Sequence, residues 1–369
     1  MENKIPLMVP DIKPDDIKAV TDVLQTGMLI QGKQVALFEQ DVARYLNVKH
    51  AIAISNGTAT LHLALIAAGI GQGHEVIVPA LSYVATANVV ELVGATPVFV
   101  DIDLQTFNID VSKIESAITP KTKAIIPVHE FGLLANMELL MPIAIKHNLI
   151  VIEDAACALA ASVGCQFAGT FGTLGSFSFH PRKAITSGEG GMLITNDDAL
   201  EKKLRVLRNH GIQMEDGKMQ FVAAGFNYRL TDFQAALVHS QFKRLPQILA
   251  YKQTLAQAYL CALQHCKNIM LPIIPNGYYH TWQSFHIIIE GIQRDEVIMR
   301  LQDVGIGTNY GAQCIPQQKY YQYKYKLNTA TLFPNALKAY QQGLVLPLYE
   351  KLSVADIQHV ATALLKIVG

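Results

Sequence analysis

The sequence predicts an α/β fold with a mainly parallel sheet in a large domain and a smaller α+β domain behind it. Three observations predict it. Between residues 50 and 155, short β-rich apolar runs alternate with longer helical patterns. Half of the 369 residues are hydrophobic, enough for a sizeable core. From about residue 245 the pattern changes to long helices around one strand-like run.

Taken in order, HAIAIS (50–55) reads as a strand, ATLHLALIAAGI (59–70) as a helix, EVIVPA (75–80) as a strand and TANVVELVGA (86–95) as a helix. TPVFVDI (96–102), TKAIIPVH (122–129) and LIVIEDA (149–155) are further strands, with the helical ANMELLMPIAIKHN (135–148) between the last two. GSFSFH and GGMLITND read as a strand pair beside the core sheet, followed by the charged helix DDALEKKLRVLRNHG. LPQILAYKQTLAQAYLCALQ is a long helix, TWQSFHIIIE a strand and RDEVIMRLQDVG a helix, which sets the expected domains at 1–244 and 245–369.

Composition narrows the class of function. Lys plus Arg and Asp plus Glu are both 30, with no basic run, so nothing draws this surface to nucleic acid or anionic lipid. The N-terminal MENKIPLMVPDIKPDD has no apolar centre for a signal peptide, and its prolines interrupt any continuous helix. ANVVELVGATPVFV is broken by Glu91, Gly94 and Pro97, too short for a membrane span. A cytoplasmic protein is expected. The five cysteines form no CxxC pair and the twelve histidines no HExxH, so reduced thiols and no metal are expected.

Ligands of open α/β sheets sit beyond the carboxyl ends of the strands. Three such ends are unusual here. In SNGTAT (55–60) small residues and free N–H groups at a helix start suit an anion such as phosphate, although an ordinary strand-helix turn with a Ser or Thr cap reads equally well. Asp154 ends the apolar run LIVIED; it either caps a following helix or needs a cationic partner, which a protonated pyridine nitrogen would supply. Lys183, in FSFHPRKAITSGEGGM, is either a solvated surface charge or an amine kept neutral by apolar walls and neighbouring cations, hence a nucleophile toward carbonyls. A phosphate anchor, a ring-nitrogen partner and an amine are the three parts that pyridoxal 5'-phosphate needs.

The resemblance to a known family then becomes specific. MLIQGKQVALFEQDVARYLNVKHAIAISNGTATLHLAL, EVIVPALSYVATANVVELVGATPVFVDID, VHEFG, VIEDAA, FSFHPRKAITSGEGG, RNHG, FNYRLTDFQAAL and LVLPLY together resemble the sugar aminotransferases of the DegT/DnrJ/EryC1/StrS family. That resemblance implies the fold of aspartate aminotransferase, type I of the pyridoxal-phosphate transferases. Lys183 is similar to the family's Schiff-base lysine, Asp154 to its pyridine-nitrogen partner, Gly57 and Thr58 to its phosphate turn and Ser178 to its serine phosphate ligand. Tyr83 resembles the aromatic that stacks on the ring, where a blind reading would place it in the core. Asn227, in FNYR, resembles the residue that reaches the neighbouring subunit's phosphate site, which implies a homodimer with shared active sites.

Two positions depart from the family. Cys157 stands where a Gln or His often meets the cofactor's phenolic oxygen, and a thiol is a weak donor. GIGTNYGAQCIPQQ lacks a histidine that many relatives have; Arg229 and Tyr310 are the candidates for substrate contact. The resemblance implies transfer of an amino group from glutamate, leaving 2-oxoglutarate, to the keto group of a nucleotide-linked sugar for surface polysaccharide or glycoconjugate synthesis. HPRKAITSGEGG and NYGAQCIP resemble enzymes for 4-keto-6-deoxy sugars. A 3-aminotransferase, a dehydratase (with histidine in place of the lysine) and a non-catalytic sensor are the alternatives.

Overall fold

Seven strands form the central sheet of the computed structural model, which describes residues 4–369. They are β1 (His50–Ile54), β2 (Glu75–Pro79), β3 (Thr96–Val100), β4 (Thr122–Ile125), β5 (Ile150–Asp154), β6 (Leu174–Ser178) and β7 (Gly191–Thr195). Their spatial order is β1-β7-β6-β5-β4-β2-β3. The strands from β3 through β6 in that order pair in parallel, while β7 runs antiparallel to both β6 and β1. Each apolar run expected as a strand before residue 155 is one. The pair expected beside the core sheet is a correction: β6 and β7 lie within it, between β5 and β1. All five residues of β7 are buried, so it shows no alternation to reveal its place.

Two helices precede β1 that the sequence reading left out, α1 (Pro14–Thr26) and α2 (Lys33–Leu46). The prolines do not prevent α1, because Pro14 is its first residue, where a missing N–H costs nothing. Glu39 on α2 reaches into the sheet; its carboxylate accepts from Ala53 N–H at 2.8 Å and from Arg208 at 2.7 Å, which ties β1 to the helices above it. Arg208 closes α6 (Asp198–Arg208).

α3 (Gly57–Ala67) follows β1 directly. It buries Ala59, Leu61, Leu63, Ala64 and Leu65 and packs on β5, β6 and β7, so both its sides face protein. A helix that is apolar all round belongs in an interior, and each fully buried leucine contributes about 1.5–3 kcal/mol. Thr60 of α3 hydrogen-bonds Ser176 of β6 at 2.6 Å, fixing the start of the helix over the sheet. α4 (Ala85–Leu92) and α6 share the apolar cluster of α3, whereas α5 (Met137–Lys146) packs in a separate cluster and α7 (Asp232–Phe242) lies against α1 and α2.

Beyond α8 (Leu245–Leu263), a three-stranded antiparallel sheet pairs Phe285–Ile289 with Ile269–Met270 and with Gly343–Leu346. Helix Val354–Val368 packs along α8, and helix Arg294–Asp303 packs against it in turn. These elements share an apolar cluster that includes Tyr259, Trp282, Phe285 and Leu364, and that also takes in Ile5. No described helix is long and apolar enough to cross a membrane.

Candidate active site

The carboxyl ends of β1, β5 and β6 open on one side of the sheet, and pairing register brings their residues together. Ile54 lies opposite Gly191, Gly191 opposite Ser178, and Ser176 beside Asp154. Asn56 caps α3: its side chain accepts from Ala59 N–H at 2.8 Å, so the cap is an Asn and not the expected Ser or Thr. The N–H groups of Gly57 and Thr58 precede the first intrahelical bond, from Thr60 to Asn56, and belong to the positive end of the helix. A Cβ at Gly57 would stand 2.8 Å from Cβ and 3.0 Å from Oγ of Ser178. The turn and the serine therefore meet without room for a methyl group.

Asp154 is buried at the end of β5, and no helix follows it for its side chain to cap. Its Oδ2 accepts from the Thr86 hydroxyl at 2.9 Å and its Oδ1 from Ala156 N–H at 3.2 Å. Burial raises its carboxyl above the ordinary value, against those two bonds and the nearby Lys183 and His129. The neighbouring Glu153 points to the opposite face and is fully used there. It accepts from His129 Nε2 at 2.8 Å and from the N–H groups of Gly169, Phe171 and Gly172 at 2.8, 2.7 and 2.6 Å. Alternation along one strand thus separates a structural acid from one that faces the cavity.

Lys183 lies in the loop joining β6 to β7, partly buried rather than solvated, and donates to Sγ of Cys157 at 3.0 Å. Burial alone would lower its pKa, yet Cys157, Asp154 and Glu130 together hold it above the ordinary lysine value. That corrects the expectation of a neutral amine: the lysine's surroundings are acidic groups, so its own protein favours the ammonium. Burial in turn raises the Cys157 thiol. Glu130 was missed in the sequence. It sits after β4 in VHEFG, 5 % exposed, with its carboxyl pushed up to about 8 by burial and by Asp154.

These groups line one cavity of about 760 Å³ together with Gly57, Thr58, Tyr83, Ser178 and Tyr310. Tyr83 is 65 % exposed, so it is a wall of the cavity and not part of the core. Tyr310 stands near the rim with the Arg294 guanidinium 5.6 Å from its ring centre. Arg229 and Asn227 do not line the cavity of their own chain; Arg229 donates to Asn209 at 2.5 Å and Asn227 is exposed. Leu7 and Met8 also line it, contacts that no local pattern announces. Among the described residues no cluster of three or more His, Cys, Asp or Glu side chains could hold a metal ion.

The residues fit the pyridoxal phosphate that the resemblance implies. A glycine cradle faces a serine hydroxyl at a helix start, a buried acid lacks a full cationic partner, and an amine lies between them and a thiol. Comparison with known proteins points the same way. The chain is 39 % identical to GDP-perosamine synthase of Caulobacter vibrioides, over 98 % of this chain and 97 % of that one. It is 37 % identical to the spore coat polysaccharide biosynthesis protein SpsC of Bacillus subtilis, over 99 % and 97 %. Its fold matches the PLP-form of Spr1654 from Streptococcus pneumoniae with a TM-score of 0.93, at 27 % identity over 99 % and 100 % of the two chains. The DegT/DnrJ/EryC1/StrS aminotransferase profile spans residues 10–365, and the chain belongs to that family.

Proposed function

We propose that this chain is a pyridoxal-phosphate-dependent aminotransferase that moves the amino group of glutamate to the C4 keto group of a nucleotide-linked 4-keto-6-deoxy sugar. The observation that carries this reading is the convergence of Lys183, Asp154, Ser178 and Gly57 on one cavity. The similarity to a perosamine synthase supports a nucleotide sugar as acceptor.

The cofactor, when bound, supplies a carbonyl that carries the amino group and a ring that takes up electron density from the reacting carbon. The residues do the rest. Gly57 and Thr58 N–H groups and the Ser178 hydroxyl would hold the phosphate, and Tyr83 would wall the ring. The Asp154 carboxylate, steadied by Thr86, would be the partner for a protonated ring nitrogen. Nζ of Lys183 would hold the cofactor, and the same amine is the group assigned to move a proton at the reacting carbon. Cys157 donates weakly from beside the lysine. Tyr310 and Arg229 are the candidate substrate contacts, of which Tyr310 lines this cavity.

A homodimer is part of the same reading: Asn227 is exposed and does not line its own cavity, and it is assigned to the phosphate site of a second chain. Incubating the protein with glutamate and a panel of 3-keto and 4-keto nucleotide sugars, then weighing the products, tests the proposal. A mass gain matching ketone-to-amine exchange on a 4-keto-6-deoxy substrate is expected. Amination of 3-keto substrates alone would overturn the C4 assignment, and no amination of any substrate would overturn the activity.

A further inference from the structure

Glu130 faces the cavity, and the chemistry proposed above gives it no task. Its place is tightly held. Its N–H donates to Asn108 Oδ1 at 2.8 Å, and the Asn108 amide nitrogen donates onward to the carbonyls of Leu133 and Leu134 at 3.1 and 3.0 Å. Phe131 has a left-handed backbone (φ 54°) and stacks on His286 with ring centres 4.3 Å apart. Gly132, at φ 103°, leaves no room for a Cβ, which would fall 2.6 Å from Thr281 Oγ1. A turn fixed this way points its side chain in one direction.

That direction is toward the reacting groups. Oε2 of Glu130 is buried without any hydrogen-bond partner, a costly state for a carboxyl group. The groups around it are Ser82, Asp154 from β5, Cys157 from the loop after β5 and Lys183 from the loop after β6. Lys252 of α8 acts on Cys157 and Lys183 from behind. His129, next in the chain, is taken by Glu153.

We propose that Glu130 is a positioning residue for the cofactor, a carboxylic acid whose O–H is held for an acceptor on the bound group and whose ionisation changes the protonation of the nitrogen joined to Lys183. The inference rests on the assignment of Lys183 as the cofactor lysine. Burial and Asp154 keep the acid neutral up to about pH 8. Above that pH it loses its proton to solvent and adds a second negative charge beside Lys183. Negative charge favours the protonated nitrogen, so deprotonation of the chromophore is deferred to higher pH.

The test is a pH titration of the visible absorbance of the holoenzyme, for the wild type, Glu130→Gln and Glu130→Leu. Glu130→Gln, which keeps a donor but cannot ionise, is expected to keep the wild-type spectrum at pH 7 and to lose the chromophore's proton at a lower pH than the wild type does. Glu130→Leu, having no donor, is expected to shift the titration midpoint by about one pH unit or more. Should Glu130→Leu fail to fold, the lower midpoint of Glu130→Gln decides alone. Superimposable curves from wild type and Glu130→Gln would overturn the proposal while leaving the lysine assignment intact. A wild-type protein with no borohydride-reducible chromophore at Lys183 would instead overturn the lysine assignment, and the role of Glu130 with it.

Discussion

Nζ of Lys183 lies 3.0 Å from Sγ of Cys157, and this contact links the residue assigned to hold the cofactor to a partly buried thiol at the same end of the sheet. Burial favours the neutral thiol, so thiolate forms only above the ordinary cysteine range. At pH 7 iodoacetamide is therefore expected to label the exposed Cys165 and Cys261 first, with Cys157 slower by about tenfold or more. Peptide mapping over a time course reads this directly. Equal rates at Cys157 and Cys165 would show that Lys183 stabilises a thiolate instead.

Asp154 and Thr86 act as a unit. Asp154→Asn keeps the shape but removes the charge, and turnover is expected to fall by about 10²–10³. Thr86→Val leaves the carboxylate with one bond fewer, and a fall of about 10- to 100-fold is expected, since a hydrogen bond to a charged group contributes about 1.5–3 kcal/mol. Single-turnover measurement with glutamate alone checks both. An unchanged rate in Asp154→Asn would remove this residue from the mechanism.

Gly57 tests the phosphate cradle. Gly57→Ala sets a methyl 2.8 Å from Ser178 Cβ, so the start of α3 and the end of β6 must separate. Cofactor Kd is expected to rise by about tenfold, or about 1.4 kcal/mol, with a smaller relative effect on thermal stability. Equilibrium dialysis against pyridoxal phosphate measures it. An unaltered Kd would place the phosphate elsewhere.

Two histidines set the acid limit of stability. His280 stacks on Trp282 with centres 4.0 Å apart, and His286 stacks on Phe131; burial lowers both to about 3. An unfolded histidine titrates near 6.5, so between that value and about 3 the unfolded chain binds more protons and stability falls as pH drops. At pH 5 the loss is about 2 kcal/mol for each. Denaturant unfolding at pH 7 and pH 5 checks the sum, and His286→Asn is expected to remove about half of the pH-dependent part. A pH-independent difference would mean that these side chains reach solvent.

Much of this architecture was legible because parallel strands are buried on both faces and stand out as short apolar runs such as IVIED and EVIVP. β7 was misplaced for the same reason: GMLIT has no polar face to say which side of the sheet it joins. The first N-terminal helix was hidden behind prolines, one of which, Pro14, begins a helix rather than breaking one. In the site, residues just past strand ends could be found by position, as with Asp154 and Gly57. Glu130 could not, since a carboxyl held neutral shows itself only once Asp154 and Lys183 are brought beside it from distant parts of the chain. The protonation of Lys183 was misjudged on the same ground: its neighbours are acids contributed by other loops, which local sequence does not reveal.

The central claim is a covalent link between Lys183 and pyridoxal phosphate, and reduction of the holoenzyme with borohydride followed by peptide mapping tests it most directly. A pyridoxyl group on the peptide containing Lys183, absent from Lys183→Arg, is the result predicted. Label on another lysine, or full turnover in Lys183→Arg, would contradict it.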